Sequence, residues 1–204
     1  MVKKNTLIIG LIVLILLIFG GYILIAGESV NVYIDGENVT SQISISPFAG
    51  VDTNKLNEEI CNYTFETMNS TNGTAQSLKQ GILRICLGYG LDKVKVHINS
   101  PLGEDKIPIQ FHVQGLSMYP TLKDGQTVLV EKTNNIQVGN IVVANSSEYG
   151  NIIKRVSKIN GNKVYLTSDN TDVDYEYKNG VKYETKGIST WVNSNDIYGV
   201  VVQS

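Results

Sequence analysis

The rhythm of apolar and polar positions changes several times along the chain. Leu7 to Ala26 is an uncharged, largely apolar run between Lys3-Lys4 and Glu28, and a run of that length spans a bilayer as a helix. Val30, Val32 and Ile34 then alternate with polar residues, Asp35-Gly36 supplies a tight turn, and Val39, Ile43 and Ile45 follow. This predicts a small hairpin or an extended stalk. From Asp52 to Met68 the apolar residues Leu56, Ile60 and Tyr63 recur at helical spacing, with Asp52 or Thr53 as the cap. The polar stretch Asn69 to Gly73 interrupts the pattern, and Leu78, Ile82, Ile85 and Tyr89 resume it. A second helix is expected, ending near Gly88 or Gly90. Val94, Val96 and Ile98 read as a strand, and Asn99 to Gly103 breaks the chain before a boundary near residue 105. Residues 29–104 are therefore expected to form an accessory α+β region.

Beyond residue 105 the period is that of strands. Ile107, Ile109, Phe111 and Val113 alternate strictly, putting Gln110, His112 and Gln114 on the other face. Val128 with Val130 and the run Ile141 to Ala144 predict further short strands, preceded by turns at Gly125 and Gly139. Ile152 to Ile159, Asn160-Gly161 and Lys163 to Thr167 form a strong hairpin signal, because Asn-Gly suits a type I′ turn. A last strand is expected over 197–202. The predicted fold is thus a mainly β domain over 105–204, preceded by the α+β region and an N-terminal transmembrane helix.

Composition narrows the function classes. The formal net charge is −2 and the isoelectric point about 5.7, which argues against a nucleic-acid partner. Lysines before the apolar run and none just after it predict that residues 1–6 remain cytoplasmic, that 7–26 anchor the chain in the membrane, and that everything past Glu28 is exported. A cleaved leader is the alternative, although Ile25-Ala26-Gly27 is a poor cleavage site and the run exceeds the usual apolar core of such leaders. Asn-x-Ser/Thr sequons at Asn38, Asn62, Asn69, Asn72 and Asn145 are compatible with export. Cys61 and Cys86, the only cysteines, either pair or stay as separate thiols.

Two segments carry candidate chemistry. Gly115-Leu116-Ser117-Met118-Tyr119-Pro120 lies between a strand and the turn Lys123-Asp124-Gly125. A serine hydroxyl attacks a carbonyl only when a base takes its proton and donors hold the oxyanion. Gly115 lets the backbone bend close to a substrate, Pro120 fixes the turn beyond, and the Ser117 N–H is a candidate oxyanion donor. In the second segment, Lys154 falls in register with Ile152 and Val156, whereas Arg155 faces the other way with Ile153 and Ser157. An ammonium in an apolar row is desolvated, which lowers its pKa and makes a neutral amine available as a base. The bland reading is a lysine that snorkels to solvent from an edge strand.

Taken together, the strand leading to Gly115 through Leu122, the turn at Gly139 and the run Ile152 to Val156 before a hairpin resemble the type I signal peptidases in order and spacing. The resemblance spans roughly residues 110–175 plus the last strand, and the N-terminal anchor agrees with it. It implies a serine–lysine protease of the signal peptidase/LexA-like superfamily, with Ser117 as nucleophile and Lys154 as general base, cleaving exported precursors after small residues at the membrane surface. Such a dyad needs no metal or cofactor. The implied partners are precursors with signal peptides and the lipid bilayer; oligomeric state is not implied.

The family's Gly-Asp-Asn stretch is altered here to Ser168-Asp169-Asn170, followed by Thr171. The resemblance implies that Ser168 or Asp169 hydrogen-bonds the Lys154 amine, while a polar turn is the alternative. Met118, next to the nucleophile, lines a shallow substrate pocket, touches lipid or belongs to the core. The position of an auxiliary oxyanion hydroxyl in some relatives is Gly115 here, leaving a second donor unassigned. Relatives that use histidine in place of the lysine are a poor match, because His97 and His112 precede the serine in other strands. A LexA-type self-cleaving protease shares this logic, but the anchor and the absence of a helix-turn-helix pattern favour the peptidase. A catalytically silent, membrane-tethered β domain is the non-enzymatic alternative.

Overall fold

The computed structural model of the protein describes residues 27–172, 174–178, 181–185 and 187–203. The segment 7–26, expected to be the anchor, lies outside the described residues. Among those described, no helix is long and apolar enough to cross a membrane.

The N-terminal elements form a small sheet under two helices. Strands β1 (Ser29–Ile34) and β2 (Val39–Ser44) make an antiparallel hairpin, so the hairpin holds and the stalk does not. The helices α1 (Thr53–Asn69) and α2 (Ala75–Gly88) then carry the chain to β3 (Lys95–Asn99), which joins β1 in parallel. A parallel partner requires such a crossover. Both helices fall where the periodicity predicts. Asp52 caps α1 by accepting from the N–H groups of Asn54 and Lys55, and Thr74 with Ser77 closes a reciprocal capping box on α2. Val30, Val32 and Ile34 bury one face of β1 against Leu56, Ile60, Leu78, Ile82 and Cys86. Gly81 lets the helices approach, since a Cβ there would run into the Tyr63 ring. Both thiols are free: Cys86 is buried in this core, and the Cys61 sulfur lies 3.6 Å from the Ser41 hydroxyl.

The rest is mainly β. A seven-stranded antiparallel sheet contains β4 (Pro108–His112), β5 (Thr127–Glu131), β6 (Ile141–Ser146), β7 (Gly150–Asn160), β8 (Lys163–Thr167), β11 (Ser189–Asn193) and β12 (Ile197–Gln203), in the order β11-β8-β7-β6-β12-β5-β4. Between β8 and β11 a separate ribbon pairs β9 (Asp174–Lys178) with β10 (Val181–Thr185). The last strand does not close an edge; it inserts between β5 and β6. Two apolar clusters fill this half: Val142, Ala144, Ile152, Val156, Val164 and Leu166 in one, and Val113, Met118, Leu122, Val128, Val130 and Val143 in the other. The second cluster anchors the chain around Ser117.

Candidate active site

Strand β4 ends at His112, and the N–H and carbonyl of the next residue, Val113, bond Gln126 O and Gly125 N in the turn. Gly115 follows with φ +81°, a left-handed conformation that side chains other than glycine's rarely adopt. An added Cβ there would meet nothing, so the backbone angle, not space, calls for glycine. The Gly115 N–H donates to Asp124 Oδ1 at 2.7 Å. The chain then turns helically, with Tyr119 N donating to Leu116 O at 3.0 Å and Leu122 N to Met118 O at 2.9 Å. Met118 and Leu122 are both 1% exposed. Met118 is therefore a core anchor that also forms part of the groove wall, not a lipid-facing residue. Tyr119 and Pro120 are exposed beyond it.

Lys154 comes from β7, where its row partners Ile152 and Val156 are buried as the alternation requires. It is 4% exposed, so the snorkelling alternative fails. Its Nζ donates to Ser117 Oγ at 2.7 Å and to the carbonyl of Ile153 at 3.0 Å. Burial holds its pKa below the usual lysine value, opposed by the negative charge of Asp169. The two groups meet at a groove of about 1110 Å³, lined by residues 110–118, 149, 151–154, 170, 172 and 187–189.

The expectation that Ser168 or Asp169 holds the Lys154 amine is corrected. Ser168 Oγ donates to the Ile188 carbonyl. Asp169 accepts from Arg155 through both oxygens, Nε to Oδ1 at 2.7 Å and Nη2 to Oδ2 at 2.6 Å, and from Thr121 Oγ1 at 2.5 Å. The reason is the period of the strand: Arg155 points away from the Lys154 face, and the register pairs it with Thr167, so the chain leaving β8 passes the guanidinium. Arg155 holds the Asp169 carboxyl below the ordinary range. Asp169 thus reaches Lys154 through its field and through the strand, while a main-chain carbonyl holds the amine.

Asn170 is the residue the motif reading passed over. Its N–H donates to Ser117 O at 2.9 Å and its Nδ2 to Leu116 O at 3.0 Å. The hint in the sequence was its place as the unaltered asparagine of the Ser168-Asp169-Asn170 stretch, to which no role was given. His112 lines the groove but bonds Thr127.

Residues 95–189 match the family described as Peptidase S24-like. The chain is also similar to signal peptidase IB of Staphylococcus aureus strains N315, MW2 and COL, 36% identical over 78 residues in each case. That stretch covers 36% of this chain and 38% of each relative, so the match spans less than two-fifths of the length of the curated relatives. The Peptidase S24-like match covers the segments that hold Ser117 and Lys154, and both likenesses agree with the resemblance to type I signal peptidases and LexA-like proteases.

Proposed function

With those likenesses as premise, we propose that the protein is a membrane-anchored serine endopeptidase that removes signal peptides from exported precursors. The single observation that supports it best is the 2.7 Å contact between a buried, desolvated lysine amine and a serine hydroxyl that both line an open groove. In this reading residues 7–26 hold the chain in the bilayer with 1–6 in the cytoplasm, 29–104 form the accessory region, and 105–204 do the chemistry outside.

Neutral Lys154 takes the proton of Ser117 as Oγ attacks the scissile carbonyl. The tetrahedral oxyanion collapses, the peptide bond breaks, and the new amino terminus leaves with a proton returned by Lys154. Water, deprotonated by the same amine, then resolves the ester and frees Ser117. Protonation silences the base, so activity rises with pH through the lowered pKa of Lys154. Membranes carrying Ser117→Ala or Lys154→Ala are expected to leave a precursor with an Ala-x-Ala site uncut, at least about 10³-fold slower than the native chain. Cleavage at the native rate by either variant overturns the assignment.

The Peptidase S24-like match favours a second reading, cleavage of the chain by itself. A first-order loss of the purified full chain that does not change on dilution, and that Ser117→Ala abolishes, would select it.

A further inference from the structure

The oxyanion donor of this site is aimed from outside the nucleophile loop. We propose that Asn170 is a positioning residue that orients the Leu116–Ser117 peptide, so that the Ser117 N–H faces the reacting carbonyl oxygen. The inference rests on the serine–lysine reading above and deepens it.

A trans peptide is planar, with its C=O and N–H pointing in opposite directions. Whatever fixes the Leu116 carbonyl therefore fixes the Ser117 N–H. That carbonyl accepts two donors, Tyr119 N from within the loop and Asn170 Nδ2 from 54 residues away, each at 3.0 Å. The next peptide is held the same way, by Asn170 N on Ser117 O at 2.9 Å. Among the described residues no acceptor lies on the Ser117 N–H, which leaves it free for a developing negative charge.

Asn170 is itself held in place. Its Oδ1 accepts from the Asp172 N–H at 2.9 Å, which sets the amide so that Nδ2 faces Leu116. Its neighbour Asp169 is clamped by Arg155 and Thr121, tying the segment both to the strand that carries Lys154 and to the far end of the loop that carries Ser117. One short segment thus sets the nucleophile, its base and the oxyanion donor relative to one another. A lone intraloop bond from Tyr119 would leave the peptide freer to rock, at a cost paid in the transition state and not in substrate binding.

The test uses the full chain in membranes or detergent and an internally quenched peptide containing an Ala-x-Ala site. Asn170→Ala removes the donor and the bond from Asp172; Asn170→Asp keeps an acceptor for Asp172, so it preserves the turn if the first variant does not fold, but it replaces the donor by a carboxylate oxygen and adds a negative charge beside the Leu116 carbonyl. Both are expected to lower kcat about 10- to 100-fold with KM within about twofold. In Asn170→Ala the midpoint of the pH–rate curve is expected to stay where it is, since the amine keeps its surroundings. Binding of the matching peptide aldehyde, to which Ser117 Oγ adds to give a tetrahedral hemiacetal, is expected to weaken in proportion to kcat. A folded variant with kcat within twofold of the native chain, or a loss confined to KM, overturns the inference. Ser117→Ala, measured alongside, separates the two levels: if it still cleaves, the serine–lysine reading itself falls.

Discussion

Two lysines of the mainly β half are buried to a similar degree, Lys154 at 4% and Lys132 at 7% exposure, and burial lowers the pKa of both. Their surroundings differ. Lys154 faces the Ser117 hydroxyl where both line an open groove. Lys132, just after β5, crosses to the helical region, where its Nζ donates to the carbonyl of Ser70 at the C-terminal cap of α1 and lies 5.9 Å from the centroid of the Tyr198 ring. A helix C-terminus and an aromatic face both favour a cation, and neither offers a proton to remove. Desolvation makes an amine available, but only a nucleophile within reach and a path for substrate turn it into a base.

The largest expected effect tests that contrast directly. Lys154→Met abolishes turnover, whereas Lys132→Met leaves the rate per folded molecule within about twofold; equal losses in peptide cleavage would erase the distinction. Next comes the field of Asp169. In Asp169→Asn the charge that raises the Lys154 pKa is gone, so the rising limb of the pH–rate curve moves to lower pH, while the freed Arg155 loosens the loop and lowers the plateau. Stability falls by about 1–3 kcal/mol, the cost of stripping a charged hydrogen-bond partner, and chemical denaturation measures it. A limb that stays put would show that the carboxylate acts only through packing.

A smaller effect probes the Lys132 socket. Gly73 is buried beside it, and a Cβ there would come 2.7 Å from Lys132 Cε and collide with the carbonyl of Thr67. Gly73→Ala is expected to destabilise by about 1–3 kcal/mol with little change in turnover per folded molecule. The smallest effect is thermal. The folded pKa of Lys132 is about 8 against 10.5 for a free side chain, so between those values the unfolded chain holds more protons and stability rises with pH. Melting curves from pH 7 to 10 should show that rise, and Lys132→Met should reduce it. An unchanged rise would place its origin elsewhere, with Lys154 the first candidate.

Much of the framework was legible in local pattern. The cap at Asp52, the break at Asn69 to Gly73 and the Asn160-Gly161 turn each act over a few residues, β4, β5, β7 and β8 follow a period of two, and β6 shows as a short apolar run. Strands β9 and β10 went unassigned although Val173, Tyr175, Tyr177, Val181 and Tyr183 alternate with charged residues around Asn179-Gly180, the same hairpin signal as at Asn160-Gly161; β11 is short and carries only the adjacent pair Trp191-Val192, which gives no period. The parallel pairing of β1 with β3 and the insertion of β12 between β5 and β6 join segments far apart in the chain, where no local signal operates.

The candidate site divides along the same line. The residues themselves set that Ser117 sits in a Gly/Pro-punctuated loop and that Lys154 shares a strand face with Ile152 and Val156, because side-chain direction along a strand follows from position alone. Only the tertiary structure decided that this amine meets that hydroxyl, that Asp169 takes Arg155 and not Lys154, and that Asn170 grips the Leu116 and Ser117 carbonyls. Those choices depend on which strands neighbour one another and in what register, and that is set by how the whole sheet buries its apolar faces.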